Sequence, residues 1–169
     1  MIDQGLVDGV GRRIALHEVD DENWRAVADI APLDGQRRYV PALAARYLLL
    51  SLREGVWHSL AVRADDTVVG HVMWGRDEDG SYWVGGMLID GAEQGRGSGG
   101  RWRGPCCAGW RTVRTVRSCA LSYRPENTAA ERLYTSLGFV PVPSGEGDAD
   151  DEVVAELSAT SVGRVSGAP

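Results

Sequence analysis

The sequence predicts one domain that combines strands and helices, an α+β arrangement within the α/β class. Three short predicted strands joined by tight turns fill residues 57–89, as in a β-meander. Apolar residues at helical spacing occur on both sides of this region. The chain of 169 residues, with 43% hydrophobic and 25% charged residues, is long enough to bury a hydrophobic core.

The N-terminal third predicts one strand followed by two helices. Asp20 is a favourable N-cap for the first helix, and Pro32 ends that helix. Pro41 suits the first turn of the second helix, and Gly55 ends it. The expected bounds are residues 13–19 for the strand, 20–31 for the first helix and 36–53 for the second.

The rest of the chain predicts six more strands and one well-defined helix, which Gly138 ends at its C′ position. The strands are expected at residues 57–63, 67–74, 82–89 and 120–123, from residue 139 onward, and at residues 151–157. We expect a loose leader at residues 1–11, the single domain at residues 12–157 and a disordered tail at residues 158–169.

Charge and cysteine content argue against several classes of function. A formal net charge of −6 disfavours a nucleic-acid partner, and no apolar run is long enough to span a membrane. The early Asp3, with no apolar segment near it, disfavours a signal peptide, so we expect a cytoplasmic protein. Three cysteines, two of them adjacent at Cys106 and Cys107, fit free thiols, and the His and Cys spacings match no metal site.

Basic residues are concentrated in one part of the chain. Between Glu93 and Glu126 there is no acidic residue, whereas seven arginines occur there. A basic segment in an otherwise acidic chain suits an anionic cofactor and a cationic substrate. The equal alternative is a set of scattered surface arginines without a binding function.

Residues 94–100 form a glycine-rich turn after a predicted buried strand. Exposed backbone N–H groups in such a turn bind phosphate, although a flexible loop is the alternative. The chain has no lysine, which excludes a P-loop. The dinucleotide pattern G-x-G-x-x-G is met by Gly95, Gly97 and Gly100, but it lacks an acid about 20 residues further on. A third pattern, Gln-x-x-Gly-x-Gly, is given by Gln94, Gly97 and Gly99.

Residues 127–139 are more specific than the glycine turn. They begin with Asn127, continue with an alanine pair and Leu133-Tyr134, and end with Leu137-Gly138-Phe139. This segment and the Gln-x-x-Gly-x-Gly turn together resemble the GNAT N-acetyltransferases, which bind acetyl-CoA. Four further segments resemble the bacterial diamine (spermidine/spermine) acetyltransferase branch, at residues 23–25, 36–40, 71–75 and 79–83.

The resemblance implies a fold and a set of site residues. The implied fold is a mixed, mostly antiparallel central sheet of about six to seven strands, flanked by helices and splayed at the cofactor site. Tyr134 takes the position of a general acid beside the cofactor, and Asn127 that of a cofactor-contacting asparagine. The pantetheine arm would pair with the backbone of Met87, Leu88 and Ile89. The pyrophosphate would lie on the N–H groups of Gln94, Gly95, Arg96, Gly97, Ser98 and Gly99, with Gly100 opening the next helix.

Acetyl transfer to an amine needs such parts. An alkylammonium group has a pKa of about 10.4, so a base must remove its proton. The departing thiolate, with a pKa of about 8.5, can take a proton from a tyrosine hydroxyl, and backbone N–H groups can hold the oxyanion. Tyr134 is alternatively a core aromatic, and we expect Cys119 to be a buried structural thiol. The base stays open among Glu126, Glu22, Asp77 and a water chain.

The sequence thus predicts an acetyl-CoA-dependent N-acetyltransferase for a small cationic amine, with a polyamine as the first choice. A non-catalytic acyl-CoA-binding protein, a nicotinamide dinucleotide binder and an impaired enzyme are the alternatives. A homodimer is also open, since GNAT proteins often dimerise. The impaired form follows from Gly104-Pro105, which interrupts the helix expected after the glycine turn. Residues 101–119 fit either a short or kinked helix starting near Pro105 or a locally shifted reading frame.

Overall fold

The computed structural model describes residues 1–77, 80–95, 118–143 and 152–158. The helices in these ranges are α1 (Trp24–Ala28), α2 (Ala45–Glu54) and α3 (Thr128–Leu137), with a 3₁₀ turn at Asp34–Gln36. The strands are β1 (Ile2–Val7), β2 (Arg13–Glu18), β3 (Trp57–Ala64), β4 (Thr67–Arg76), β5 (Tyr82–Ile89), β6 (Ser118–Tyr123), β7 (Val140–Pro141) and β8 (Val153–Ser158).

The described strands form one mixed, mostly antiparallel sheet in the order β1-β2-β3-β4-β5-β6-β8-β7. The parallel neighbours within it are β5 and β6, and their pairing is confined to Tyr82 with Cys119 and Trp83 with Ala120. Beyond this point β5 continues to Ile89 without β6 at its side, so the sheet opens between the two strands. The predicted sheet type is confirmed, with eight strands in place of six to seven.

Residues Ile2–Val7 form the edge strand β1, in a region where the sequence predicted a loose leader. The strand pairs with β2 from Ile2 opposite Leu16 to Val7 opposite Arg13. Its register shifts near Gly5, whose φ of +68° suits glycine. The bulge interrupts the alternation of side chains, and this explains why the sequence pattern concealed the strand.

Both N-terminal helices are shorter than predicted. α1 begins only at Trp24, because Asp20 accepts hydrogen bonds from the N–H groups of Glu22 and Asn23 in a preceding turn. α2 begins at Ala45, after Pro41, instead of at residue 36. A proline disfavours helical backbone in the residue before it, which accounts for the later start. Gly55 ends α2 in the left-handed conformation, as predicted.

Helix α3 is capped at both ends, by Asn127 at its start and by Gly138 at its end, and the sequence predicted the second of these caps. The Asn127 side chain accepts a hydrogen bond from the Ala130 N–H at 3.2 Å, and Gly138 ends the helix with a φ of +94°. Residues on one face of the helix, including Tyr134 and Leu137, pack against the main core. This anchoring fixes α3 next to the opening in the sheet.

Strand β5 contributes side chains to both hydrophobic core clusters. Leu88 packs with Ile30 and Ala44 in the core cluster beneath α1 and α2. Met87 and Ile89, its neighbours in the strand, pack against the main core, which also contains Cys119, buried as predicted. Side chains of one strand therefore enter two cores, which holds β5 in place along the stretch that does not pair with β6. Cys106, Cys107 and residues 101–117 lie outside the described residues.

Candidate functional site

A cleft of about 850 Å³ occupies the opening between β5 and β6. One wall is the β5 backbone from Val84 to Ile89, and the other is formed by the end of β6, α3 and the start of β8. Aromatic and amide side chains also line the cleft, with Gln36, Tyr39 and Tyr47 from the segments before β3 and Trp57 from the start of β3. A volume of this size suits a ligand of cofactor or drug size.

The β5 wall carries a bulge, here named the β5 bulge, at residues 85–87. The register with β4 shifts by one residue between the pair His71–Leu88 and the pair Met73–Gly85. Gly86 lies in the left-handed region with a φ of +55°, and an added Cβ would lie 3.0 Å from the Tyr47 ring. Both the backbone conformation and the close ring therefore require glycine at this position.

Behind the bulge, His71 is fully buried and bonded through both ring nitrogens. Its Nδ1 lies 2.8 Å from the Gly86 carbonyl oxygen, and its Nε2 lies 2.9 Å from the Ser59 hydroxyl. Ser59 in turn contacts the Ser51 hydroxyl at 2.7 Å. The Tyr47 ring stacks on the imidazole, with centroids 5.6 Å apart. Burial lowers the pKa of His71 to about 4, so the ring is neutral near pH 7.

Tyr134 lines the opposite wall and is half-buried. Its ring packs against Tyr123 and Phe139, with centroid distances of 5.7 Å and 6.1 Å. Asn127 also lines the cleft, while its side-chain oxygen caps α3. The same residue is thus both a structural cap and a candidate ligand contact.

The start of the glycine turn is held by a pair of side-chain amides. Gln94 donates to the Ile89 carbonyl at 2.9 Å, and Gln94 and Gln36 exchange two hydrogen bonds at 2.9 and 3.0 Å. Gly95 follows with a φ of +78°, and both Gln94 and Gly95 line the cleft. The remaining predicted cradle residues, Arg96, Gly97, Ser98, Gly99 and Gly100, lie outside the described residues.

The turn before Gln94 is tied to the N-terminal hairpin. Arg12 bonds the buried Asp8 at 2.8 Å and Glu93 at 2.7 Å. The Asp90 carboxylate accepts from the Ala92 N–H at 2.9 Å. The entrance to the glycine turn therefore has a defined position relative to β5.

Glu152 is the one carboxylate among the described residues that line the cleft. Its Oε2 accepts a hydrogen bond of 2.6 Å from the Ser122 hydroxyl. Burial, and after it the nearby Glu152 carboxylate, raises the pKa of Tyr47 to about 12. The charge of Glu152 therefore reaches the Tyr47 hydroxyl, although the two residues lie in different parts of the cleft lining.

The sequence analysis missed Glu152 and the role of His71. Its candidate bases, Glu126, Glu22 and Asp77, do not line the cleft. Glu152 follows a run of acids, and no pattern separates it from its neighbours. His71 did carry a signal, since it is a polar residue among the apolar residues of the strand predicted at residues 67–74.

Comparison with solved structures identifies the fold. The GNAT domain of Streptomyces lividans PAT matches with a TM-score of 0.68 and 18% identity, covering 92% of this chain and 96% of that one. A spermidine N-acetyltransferase from Vibrio cholerae, in complex with CoA and spermine, matches with a TM-score of 0.65 and 15% identity over 88% and 96%. The aminoglycoside acetyltransferase AAC(6')-Ib, in complex with coenzyme A and kanamycin, matches with a TM-score of 0.69 and 12% identity over 90% and 98%.

The chain therefore has the GNAT fold, as the sequence resemblance implied. No protein-family model and no curated protein matches the sequence. Within the described ranges, no helix has both the length and the apolar character needed to cross a membrane. In the same ranges, no three His, Cys, Asp or Glu side chains are grouped so as to hold a metal ion.

Proposed function

We propose that the protein is an acetyl-CoA-dependent N-acetyltransferase that transfers the acetyl group directly to a primary amine of a small cationic molecule. The observation that carries this proposal is the cleft where β5 and β6 part, with the β5 bulge on one wall and Tyr134 on the other. Two solved structures with this fold, described above, contain coenzyme A together with an amine compound.

The backbone of β5 suits the amide-bearing arm of acetyl-CoA. The β5–β6 ladder ends at Trp83, so the edge of β5 that faces the cleft is not covered by β6 from Val84 to Ile89. A strand edge of this kind can exchange hydrogen bonds with amide groups of a ligand. Met87, Leu88 and Ile89 would pair with the arm, and Gln94 and Gly95 would begin the pyrophosphate cradle, continued by residues 96–100.

Tyr134 is the proposed general acid. It stands on α3, whose two caps and core contacts keep the ring at the cleft. A phenol donates a proton to a leaving thiolate more readily than water does, since its pKa is about 10. Bound acetyl-CoA supplies the reactive thioester, and Tyr134 would protonate the sulfur as the bond to the acetyl carbon breaks.

The amine is proposed to bind between Glu152 and an aromatic wall. Tyr47, Trp57 and Trp83 line the cleft and offer ring faces that attract a cation. Glu152 would attract the ammonium group and accept its proton, directly or through a water molecule. A polyamine is the first candidate, since its several amino groups could engage both features, and an aminoglycoside is the second.

Thiol release measured with acetyl-CoA and a panel of amines tests the proposal. Spermidine, spermine and an aminoglycoside form the first panel, and binding of coenzyme A is measured separately by calorimetry. Tyr134→Phe should lower kcat by about 100-fold while the affinity for coenzyme A stays within twofold. The matched control is Tyr82→Phe, which removes a hydroxyl from a β5 tyrosine outside the cleft and should keep the wild-type rate.

The same measurements separate two of the alternatives. Binding of coenzyme A without turnover of any amine would identify a non-catalytic acyl-CoA-binding protein. Absence of both binding and turnover would indicate an impaired enzyme. A cytoplasmic location and a homodimer remain part of the proposal, and light scattering of the purified protein measures the oligomeric state.

A further inference from the structure

We propose that His71 is a positioning residue, which holds the Gly86 carbonyl from behind and thereby aims the Met87 N–H into the cleft. This inference rests on the proposed function, because the N–H would bind the carbonyl oxygen of the acetyl group during transfer. The argument depends on the direction of one proton and on the geometry of one peptide bond.

The hydrogen-bond chain fixes the tautomer of His71. A carbonyl oxygen can only accept, so the 2.8 Å contact with Gly86 requires a proton on Nδ1. A neutral imidazole then has no proton on Nε2, which must accept from the Ser59 hydroxyl at 2.9 Å. Ser59 has thereby used its proton, so Ser51 is the donor in the 2.7 Å contact between the two hydroxyls, in place of its longer 3.2 Å contact with the Tyr47 carbonyl. The chain runs in one direction, from Ser51 through Ser59 and His71 to Gly86.

The peptide bond after Gly86 links the direction of the Gly86 carbonyl to the direction of the Met87 N–H. The described chain has no cis peptide bonds, and in a planar trans peptide the carbonyl and the following N–H point in opposite directions. Since the Gly86 carbonyl faces the His71 ring, the Met87 N–H points away from that ring. On that side β6 has diverged, and both residues line the cleft.

Packing restricts the bulge to this orientation. Tyr47 stacks on His71 with an interplanar angle of 5°, and the same ring lies 3.0 Å from the position of a Cβ on Gly86. The Met73 side chain contacts the same position at 3.1 Å. A rotation of the 86–87 peptide would break the bond to His71 and leave a buried imidazole proton unpaired, which is unfavourable.

The expected fall in kcat can be estimated from other enzymes that bind an oxyanion through backbone N–H groups. Removal of one preorganised donor lowers kcat by about 100- to 1000-fold. Loss of His71 leaves the Met87 N–H in place but no longer holds it in one orientation. We therefore expect a smaller fall in kcat, about 10- to 100-fold. Ground-state binding of the cofactor uses other contacts, so the KM for acetyl-CoA should change by less than threefold.

The test compares two replacements of His71 with a matched control. His71→Leu removes the donor, whereas the amide of His71→Asn can occupy the position of Nδ1 and restore the bond to Gly86. The expected result is a 10- to 100-fold fall in kcat for leucine and recovery to within about fivefold of wild type for asparagine. His17→Leu, on β2 outside the cleft, should keep the wild-type kcat. Equal rates in wild type and a folded His71→Leu protein would overturn the proposal.

A spectroscopic readout tests the same point without turnover. Long-range ¹H–¹⁵N NMR of the imidazoles should show His71 as the Nδ1–H tautomer, and this tautomer should persist in Ser59→Ala, because the Gly86 carbonyl still requires the proton on Nδ1. Acetyl-CoA should move the Met87 amide resonance in the wild type and in His71→Asn. An Nε2–H tautomer, or a Met87 amide that does not respond to bound cofactor, would overturn the inference. If no amine is acetylated while these signals appear, the proposed function fails and the positioning of the amide stands.

Discussion

The two walls of the cleft are held by different means. The β5 wall is main chain, and its bulge depends on a glycine, on the Tyr47 ring and on the buried His71. The opposite wall presents side chains, of which Tyr134 rests on aromatic rings and Glu152 is held by a single hydroxyl. Substitutions on the first wall should therefore change stability and rate together, whereas replacement of the polar group of Tyr134 or Glu152 on the second should change function alone.

Gly86→Ala should have the largest effect on stability and rate, because it changes the backbone of the β5 wall directly. A Cβ at a φ of +55° is strained, and it would lie 3.0 Å from Tyr47 ring atoms. We expect a loss of about 2–4 kcal/mol in the free energy of unfolding and a fall in kcat of about 100-fold or more. Urea denaturation and thiol-release kinetics measure the two losses.

Gly5→Ala is the matched control for this prediction. Gly5 has a similar φ of +68°, but no atom lies within 4 Å of the position of an added Cβ. The change should therefore cost only the backbone strain, about 1 kcal/mol, with an unchanged kcat. Equal losses for Gly5→Ala and Gly86→Ala would remove the contact with Tyr47 as a cause.

Acid should weaken the β5 wall through His71. The folded protein holds the His71 pKa at about 4, below the unfolded value of about 6.5. Between these two pH values the unfolded chain binds a proton that the folded chain does not, so the free energy of unfolding falls as the pH is lowered from 6.5 to 4. The loss should approach about 3 kcal/mol at the lower limit.

The difference between wild type and His71→Asn isolates this effect. Urea denaturation of both proteins from pH 7 to pH 4 should give a steeper fall for the wild type. Other acid-sensitive groups, such as His17 and Asp8, whose pKa values are also lowered, contribute equally to both. Parallel curves for the two proteins would show that His71 is solvated or already paired with a carboxylate in the folded state.

Glu152→Gln should change function on the second wall with little change in stability. The amide keeps the shape and can still accept from Ser122, but it loses the charge that would attract an ammonium group and accept its proton. We expect the KM for the amine to rise by about 10-fold, while the affinity for coenzyme A stays the same. Initial-rate kinetics over a range of amine concentrations measure this.

Glu156→Gln is the control for charge. It removes an acid from the same strand at an exposed position that does not line the cleft. A similar rise in KM for both variants would mean that the overall negative charge attracts the amine, and Glu152 would lose its assignment.

The sequence predicted those parts of the molecule that depend on local chemistry. The C-terminal cap of α3 and the bounds of β5 follow from residues next to each other in the chain. The opening between β5 and β6 came from the resemblance, because a parallel pairing that stops after two residues leaves no mark on hydrophobic alternation.

Features made by distant residues were not predicted. The β5 bulge depends on His71 and Tyr47, which lie 15 and 39 positions before Gly86 in the sequence. Glu152 enters the cleft because β8 pairs with β6, and the sequence pattern of β8 does not specify that partner. Such sites require the sheet order first, since contacts across strands decide which polar residues meet.

Substitutions of Asn127 should have the smallest effects, and two variants separate its contribution to stability from its contribution to cofactor binding. Its side-chain oxygen caps α3 by accepting from the Ala130 N–H, while its amide group is the part that could donate to the cofactor. Asn127→Ala should cost about 1 kcal/mol in the free energy of unfolding and also weaken binding of coenzyme A. Asn127→Asp keeps an accepting oxygen, so its stability should stay within about 0.5 kcal/mol of wild type while binding of coenzyme A weakens several-fold. Thermal denaturation and calorimetry of the two variants measure both quantities, and tight binding by Asn127→Asp would assign this residue to the helix cap alone.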